Sequence, residues 1–167
     1  MIQYSLVIGI GIICIIAGAF FGWYFTGHKY CVELENCYNL EKKDREIIRI
    51  YDVWMMNHAL GRSVGNYLSE QNVRNVAIYG MSALGIRLYY ELKNQGDVTV
   101  EFAMDQNPQI ELPDVAIYKL DMEPKVQVDA VIVTAIFSYD AIERDLKKRG
   151  YTEIFALDEI LYKMLQI

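Results

Sequence analysis

A glycine-rich hexapeptide is the first feature of this sequence whose residue types and spacing could do chemistry. Residues 80–85 read Gly-Met-Ser-Ala-Leu-Gly, after the short apolar run Val76–Tyr79. This GxSxxG pattern lacks only the middle glycine of the dinucleotide fingerprint GxGxxG, the glycine that lets backbone approach a pyrophosphate. We therefore predict a phosphate contact at this loop, where the Ser82 side chain either donates its hydroxyl or blocks the close approach. The loop residues assigned to ligand binding are Gly80, Met81, Ser82, Ala83 and Gly85.

Asp105 is the second candidate for ligand binding. It follows the β-rich run Val98–Met104, so it is predicted at the end of the second strand. In dinucleotide-binding folds an acidic side chain at this point accepts a hydrogen bond from a ribose hydroxyl. The alternative is a structural role, in which Asp105 caps the turn through Asn107 and Pro108.

No catalytic residue and no metal ligand is predicted. Tyr89 and Lys93 have the spacing of a Tyr-x-x-x-Lys acid–base pair, but they fall on the first predicted helix, away from the carboxyl edge of the strands. The sequence has no GxxxxGK[ST] phosphate loop, and its two histidines, His28 and His58, precede the sheet region. Whether the protein is an enzyme is left open, with a non-enzymatic role favoured.

The elements that must position these residues follow from the alternation of apolar and amphipathic segments after residue 72. Continuous apolar strands separated by helix-period segments are typical of a parallel sheet covered on both faces. The fold class is therefore α/β, a small doubly wound, Rossmann-like parallel sheet of about five strands. The connection Leu120–Asp129 is too short and too proline-broken for a full helix. The predicted strands are Val76–Tyr79, Val98–Met104, Val115–Tyr118, Ala130–Ile136 and Glu153–Leu157, and the predicted helices are Ala83–Asn94, Ala141–Arg149 and one from Asp158 to Leu165.

Composition restricts the partners of this chain. Its 167 residues carry 16 Lys and Arg against 22 Asp and Glu, a net charge of −6. An acidic chain without a basic tract is not expected to bind nucleic acid. Its three cysteines are an odd number and do not form a disulfide framework.

A membrane anchor is predicted at Ser5–Phe25, which carries no charged side chain. A helix of this length spans roughly 30 Å, the thickness of the bilayer hydrocarbon core. Basic residues follow the run and none precedes it, so the positive-inside rule places the C-terminal domain in the cytoplasm of a single-pass membrane protein. Gly18 and Gly22 form a GxxxG motif, which leaves a homodimer through the anchor open.

Three regions are therefore expected. Residues 1–27 form the anchor, residues 28–71 a juxtamembrane linker and helical stalk, and residues 72–167 the Rossmann-like domain. Residues 28–38 show little periodicity, and Asn39 is predicted as the N-cap of the first stalk helix. Ser63–Gln71 is predicted as a second short helix.

The stretch Val76–Leu161 resembles the Rossmann-type nucleotide-binding modules of bacterial surface-polysaccharide proteins. These modules include the nucleotide-binding domains of sugar epimerase/dehydratase-like and glycosyl-phosphotransferase proteins, and the N-terminal domain of sugar acyltransferases. The resemblance implies that Thr134 and Ala135 line the ligand cleft beside the Gly80–Gly85 loop and Asp105. The residues that carry it are Ala77-Ile78-Tyr79-Gly80, Gly85, Arg87, Leu88, Ala103-Met104-Asp105, Asn107-Pro108 and Asp129–Thr134.

The expected function follows from the anchor, the altered fingerprint and the resemblance. It is a membrane-tethered cytoplasmic module that binds or senses a nucleotide-type ligand as an accessory protein in cell-envelope or capsular polysaccharide synthesis. The ligand is left open between NAD(H) and a nucleotide-sugar, and a polysaccharide-synthesis protein is an expected partner. Two alternatives stay open: an epimerase- or dehydratase-like enzyme that needs a partner, and an interaction scaffold without a ligand.

Overall fold

The computed structural model describes residues 2–124 and 126–166, and it describes side chains in these ranges except at residues 2–17 and 25–27. The chain forms two compact units, Met1–Ile47 and Ile48–Ile167. In the described residues the first unit consists of helix. The second unit contains the end of that helix, further α-helices and a five-stranded sheet.

Helix α1 runs from Ile2 to Ala59 without interruption. The predicted helix start at Asn39 is therefore wrong. Weak hydrophobic periodicity in residues 28–38 indicates weak packing, not a broken backbone, and no glycine or proline occurs between residues 29 and 60. An ion pair one turn apart, from Arg45 to Glu41 at 2.5 Å, adds to the helix in this region.

A membrane span was predicted at Ser5–Phe25. The structure does not describe the side chains of most of these residues. In the part of the chain that is described, no helix is both long and apolar enough to cross a membrane. The anchor therefore stays a prediction from the uncharged run of sequence.

The elements after α1 follow the predicted alternation closely. Ser63 begins α2 by accepting a hydrogen bond from the Asn66 N–H through its side chain, as an N-cap residue does. A 3₁₀ turn at Ile136–Ser138 precedes α4. The helices are α2 (Val64–Glu70), α3 (Ala83–Gln95), α4 (Tyr139–Lys148) and α5 (Leu157–Leu165), and the strands are β1 (Asn75–Tyr79), β2 (Thr99–Met104), β3 (Ile117–Tyr118), β4 (Ala130–Val133) and β5 (Ile154–Ala156).

All five strands are parallel, in the order β3-β2-β1-β4-β5. The predicted α/β parallel sheet is confirmed, and the order is that of a Rossmann-like fold. β1 occupies the centre because it is apolar on both faces, with Val76, Ala77 and Ile78 fully buried. Its register places Tyr79 beside Met104 on one side and Val133 on the other.

The two faces of the sheet are covered differently. One face packs its alternate residues, among them Tyr79, Phe102 and Val133, against Ile142 and Leu146 of α4. The other face meets α3 beside β1 and β2 and α5 beside β5, with α2 against both helices. Each fully buried aliphatic side chain in such a layer contributes about 1.5–3 kcal/mol.

The crossover from β3 to β4 is abbreviated, as the sequence predicted. Among the described residues of 119–129, none is helical. A right-handed crossover in this direction lies on the same face as α4, where a helix usually covers the sheet. The missing helix leaves that face thinly covered beside α4.

The Glu91 carboxylate joins three helices of the second unit. Its side chain is only 6% exposed. Oε2 accepts a hydrogen bond from Trp54 Nε1 at 2.5 Å and lies 3.0 Å from His58 Nε2, both in the last turns of α1. Oε1 accepts from the backbone N–H of Val64, the first residue of α2, at 2.8 Å. One buried acceptor group on α3 therefore holds both preceding helices.

We expect Glu91→Gln to lower the free energy of unfolding by about 1–3 kcal/mol. The amide NH₂ would face either the Val64 N–H or the Trp54 indole N–H, and a donor would then be buried against a donor. Urea denaturation followed by circular dichroism measures this change. The control is Glu111→Gln in the exposed loop after β2, with an expected change below about 0.5 kcal/mol. Equal losses in the two variants would contradict the joining role of Glu91.

Candidate functional site

The turn at the end of β1 requires glycine at position 80. Gly80 has a φ of +96°, in the left-handed region that side chains rarely adopt, and its N–H donates to the Met104 carbonyl at 2.8 Å. A Cβ there would come within 2.9 Å of Thr134 Oγ1. The tight turn that the first glycine of the fingerprint permits is therefore present.

Gly85 brings α3 into direct contact with the same turn. A Cβ at this position would overlap the carbonyl oxygen of Gly80. The last glycine of the pattern thus permits close packing of helix on strand. The N-terminus of α3 is fixed at the carboxyl edge of the sheet.

Ser82 is the N-cap residue of α3, and its side chain makes no capping hydrogen bond. Both Ser82 and Ala83 are exposed, whereas Met81 is buried. The first N–H groups of a helix have no acceptor within the helix, and they carry the positive end of the helix dipole. This end of α3 is therefore open to an anion.

Asp105 joins the glycine loop to the loop after β2. Its Oδ2 accepts from the Met81 N–H at 2.7 Å, and its Oδ1 accepts from the Asn107 N–H at 2.9 Å. The turn-capping alternative raised from the sequence is therefore observed, together with a bond that the sequence did not suggest. Each carboxylate oxygen keeps a second lone pair, so the half-buried Asp105 can still accept a hydroxyl from a ligand.

Thr134 and Ala135 occupy the end of β4 beside this turn. The Thr134 side chain is buried, and its hydroxyl donates to the Gly80 carbonyl at 2.5 Å. Its role is to tie β4 to the glycine turn. Ala135 lines the cleft described next.

A cleft of about 490 Å³ opens at the carboxyl ends of β1, β2 and β3, beside α4. Its rim includes Gly80, Asp105 and Ala135 among the predicted residues. It lies where the strand order reverses between β1 and β4, which is the usual ligand position in open α/β sheets. Its volume falls within the range of roughly 300–1,000 Å³ found for small-molecule sites.

Several cleft residues were missed from the sequence, and four of them have polar or charged side chains that bear on the chemistry of the cleft. Tyr79 lies deepest, Lys119 comes from the loop after β3, and Asp145 and Arg149 come from α4 and its C-terminal end. Arg149 is paired with Glu123 at 3.0 Å. No local signal marks these residues, because they meet only through the packing of α4 on the sheet.

The ionisable groups of the cleft act on Tyr79. Burial, followed by the carboxylates of Asp105 and Asp145, raises the pKa of its hydroxyl, while Arg149 lowers it. The phenol is therefore protonated near neutral pH and can donate a hydrogen bond. Among the described residues, no cluster of His, Cys, Asp and Glu is arranged to hold a metal ion.

We expect Gly85→Ala to destabilise the protein by about 1–3 kcal/mol, because the new methyl group overlaps backbone that cannot move freely. Gly65→Ala is the matched control on α2. There the methyl group meets the flexible end of the Gln95 side chain, and the helix gains about 0.5–1 kcal/mol from alanine. Thermal and urea unfolding compare the two. A Gly85→Ala protein as stable as Gly65→Ala would show that the turn is not tightly packed.

Comparison with known proteins does not identify a family for this chain. No family model matches it, and neither a curated protein nor a solved structure is significantly similar to it. The resemblance to polysaccharide-related modules therefore stays a prediction that rests on the residues quoted for it.

Proposed function

We propose that this chain is a membrane-anchored module that binds a nucleotide-type ligand, a dinucleotide or a nucleotide-sugar, on the cytoplasmic side. Its role is that of an accessory protein in cell-envelope polysaccharide synthesis. The observation that carries the nucleotide part is the cleft at the end of β1, where the glycine turn that begins α3 meets the carboxylate of Asp105.

The phosphate groups of the ligand belong at the start of α3. Aligned peptide dipoles give a helix N-terminus roughly half a positive charge, and its first N–H groups point at whatever lies beyond. Ser82 is exposed and its side chain makes no capping hydrogen bond, so this end of α3 is accessible from solvent. The Met81 N–H already donates to Asp105, which assigns the phosphate to the N–H groups of Ser82 and Ala83.

The ribose belongs at Asp105. Its two oxygens are held in place by the Met81 and Asn107 N–H groups, so the carboxylate is oriented before a ligand arrives. A ribose hydroxyl would donate to a remaining lone pair. A ligand-free scaffold is the alternative reading of the same bonds, in which Asp105 serves the two loops only.

The positions of Tyr89 and Lys93 support a role as a binding module and not as an enzyme. Tyr89 is buried on α3, and Lys93 forms an ion pair with Asp114. Both side chains are engaged in packing and surface contacts away from the cleft. The envelope role and the anchor rest on the uncharged run Ser5–Phe25 and on the resemblance of residues 76–161 to polysaccharide-related modules.

We expect Ser82→Asp to weaken binding of NAD or UDP-glucose about tenfold, equal to about 1.4 kcal/mol. The new carboxylate lies beside the phosphate that is assigned to the Ser82 and Ala83 N–H groups and repels it, while its own capping bond goes to an N–H group further into the helix. Ser82→Asn is the control, since it caps without charge and should keep the wild-type affinity. Isothermal titration of the full 167-residue chain in detergent measures both.

Thermal unfolding of the same samples completes this test. Both Ser82 variants should unfold at or above the wild-type temperature, because capping stabilises α3. If millimolar NAD, UDP-glucose and CoA all leave the unfolding temperature of the wild-type chain unchanged, the nucleotide proposal is wrong.

A further inference from the structure

Tyr79 lines the cleft, and the fold gives its side-chain hydroxyl no hydrogen-bonding role. It is 3% exposed, and its ring belongs to the core between the sheet and α4. Its hydrogen bonds use the backbone carbonyl, which accepts from Thr134. Among the described residues, no hydrogen bond involves its side-chain hydroxyl. The hydroxyl oxygen is not fully enclosed by protein, so its hydrogen-bonding capacity is available to a ligand in the cleft.

The hydroxyl lies among the side chains that line the cleft. The charges that act on it, Asp105, Asp145 and Arg149, are all cleft residues. A tyrosine that was needed only for packing could be a phenylalanine without cost. The side chain is buried, but its protonated hydroxyl opens on the cleft without a protein partner, so a ligand in the cleft can accept its hydrogen bond.

The cleft at Tyr79 owes its existence to the abbreviated β3–β4 crossover. A right-handed connection from β3 to β4 would place a helix on the face of the sheet that α4 covers. Instead, Lys119, Leu120 and Asp121 form one wall and α4 forms the other, through Ala141 and Asp145. The space that a helix would fill is left beside the glycine turn.

The charges of the cleft disfavour a phosphate group inside it. Asp105, Asp121 and Asp145 contribute carboxylates, against the cations of Lys119 and Arg149, and Arg149 is already paired with Glu123. Carboxylates accept hydrogen bonds from hydroxyl groups, and an acidic surplus repels anions. Apolar contacts from Leu120 and Ile142 suit the C–H faces of a ring.

We propose that the cleft beside α4 binds a neutral, hydroxyl-rich sugar ring and that the Tyr79 hydroxyl hydrogen-bonds to it. This inference rests on the proposed nucleotide binding, because the ring is attached to the phosphate held by α3. The ring is either the hexose of a nucleotide-sugar or the ribose of a nucleoside, which share this chemistry. Tyr79 is then a specificity-determining residue that distinguishes sugar-bearing ligands from free phosphates.

The test titrates the full chain with UDP, UDP-glucose and NAD, for wild type and Tyr79→Phe. Loss of one hydrogen bond should weaken binding about 3- to 10-fold. A loss confined to UDP-glucose assigns the hexose to the cleft, whereas an equal loss for all three probes assigns the ribose. Tyr151→Phe is the control, because Tyr151 packs against the same core cluster but lines a different depression. It should bind each probe as the wild type does.

Two further measurements keep the inference open to refutation. Tyr79→Phe should unfold at or above the wild-type temperature, since no hydrogen bond within the protein is lost. A clear drop would show that the hydroxyl has a structural role and would overturn the inference. Ala141→Leu fills the cleft from the exposed face of α4 without weakening the helix, and it should weaken the same probes at least as much.

The outcomes also separate this inference from the proposed function. If the wild type binds and both cleft variants bind equally well, the sugar assignment is wrong while nucleotide binding at α3 stands. If the wild type binds none of the three probes, both proposals are wrong.

Discussion

The carbonyl group of Gly80 is held between two neighbours, and the arrangement of the cleft depends on this contact. On one side it accepts the Thr134 hydroxyl at 2.5 Å. On the other side the α-carbon of Gly85 approaches so closely that no Cβ would fit. This one carbonyl group therefore fixes the ends of β1 and β4 and the start of α3 relative to each other. The direction of the α3 dipole relative to the sheet edge follows from it.

Asp105 has a structural role that is compatible with the ligand-binding role proposed for it. Its two oxygens each use one lone pair for a backbone N–H, which fixes the loops after β1 and β2. The carboxylate held by these two bonds lines the cleft at the carboxyl edge of the sheet. Structural bonding at a carboxylate is therefore compatible with binding, and it lowers the entropy that a ligand must overcome.

The sequence predicted the sheet well because its determinants are local. Apolar runs of strand length, together with the right-handed crossover rule, were sufficient for the five strands and the short β3–β4 connection. The start of the first helix was predicted wrongly at Asn39, because a helix without a packed face has no hydrophobic period to detect. Side-chain entropy and ion pairs such as Glu41–Arg45 contribute to the stability of this helix. Neither changes the pattern of apolar residues from which the helix start was predicted.

The candidate binding residues divide in the same way. Gly80, Gly85 and Asp105 were found because their positions relative to a strand end are fixed by the local backbone. Tyr79 could not be distinguished from a core residue of β1, since its ring is indeed part of the core. Arg149 carries no local signal of a binding role, and only the packed structure brings it to the cleft.

The outer strands of the sheet are very short, with two residues in β3 and three in β5. An outer strand exposes N–H and C=O groups that can pair with a strand from another molecule, and long flat edges lead to aggregation. Here such a ladder could extend over only two or three residues. Strand length alone therefore limits edge-to-edge polymerisation of this domain, even at a high local concentration of the chain.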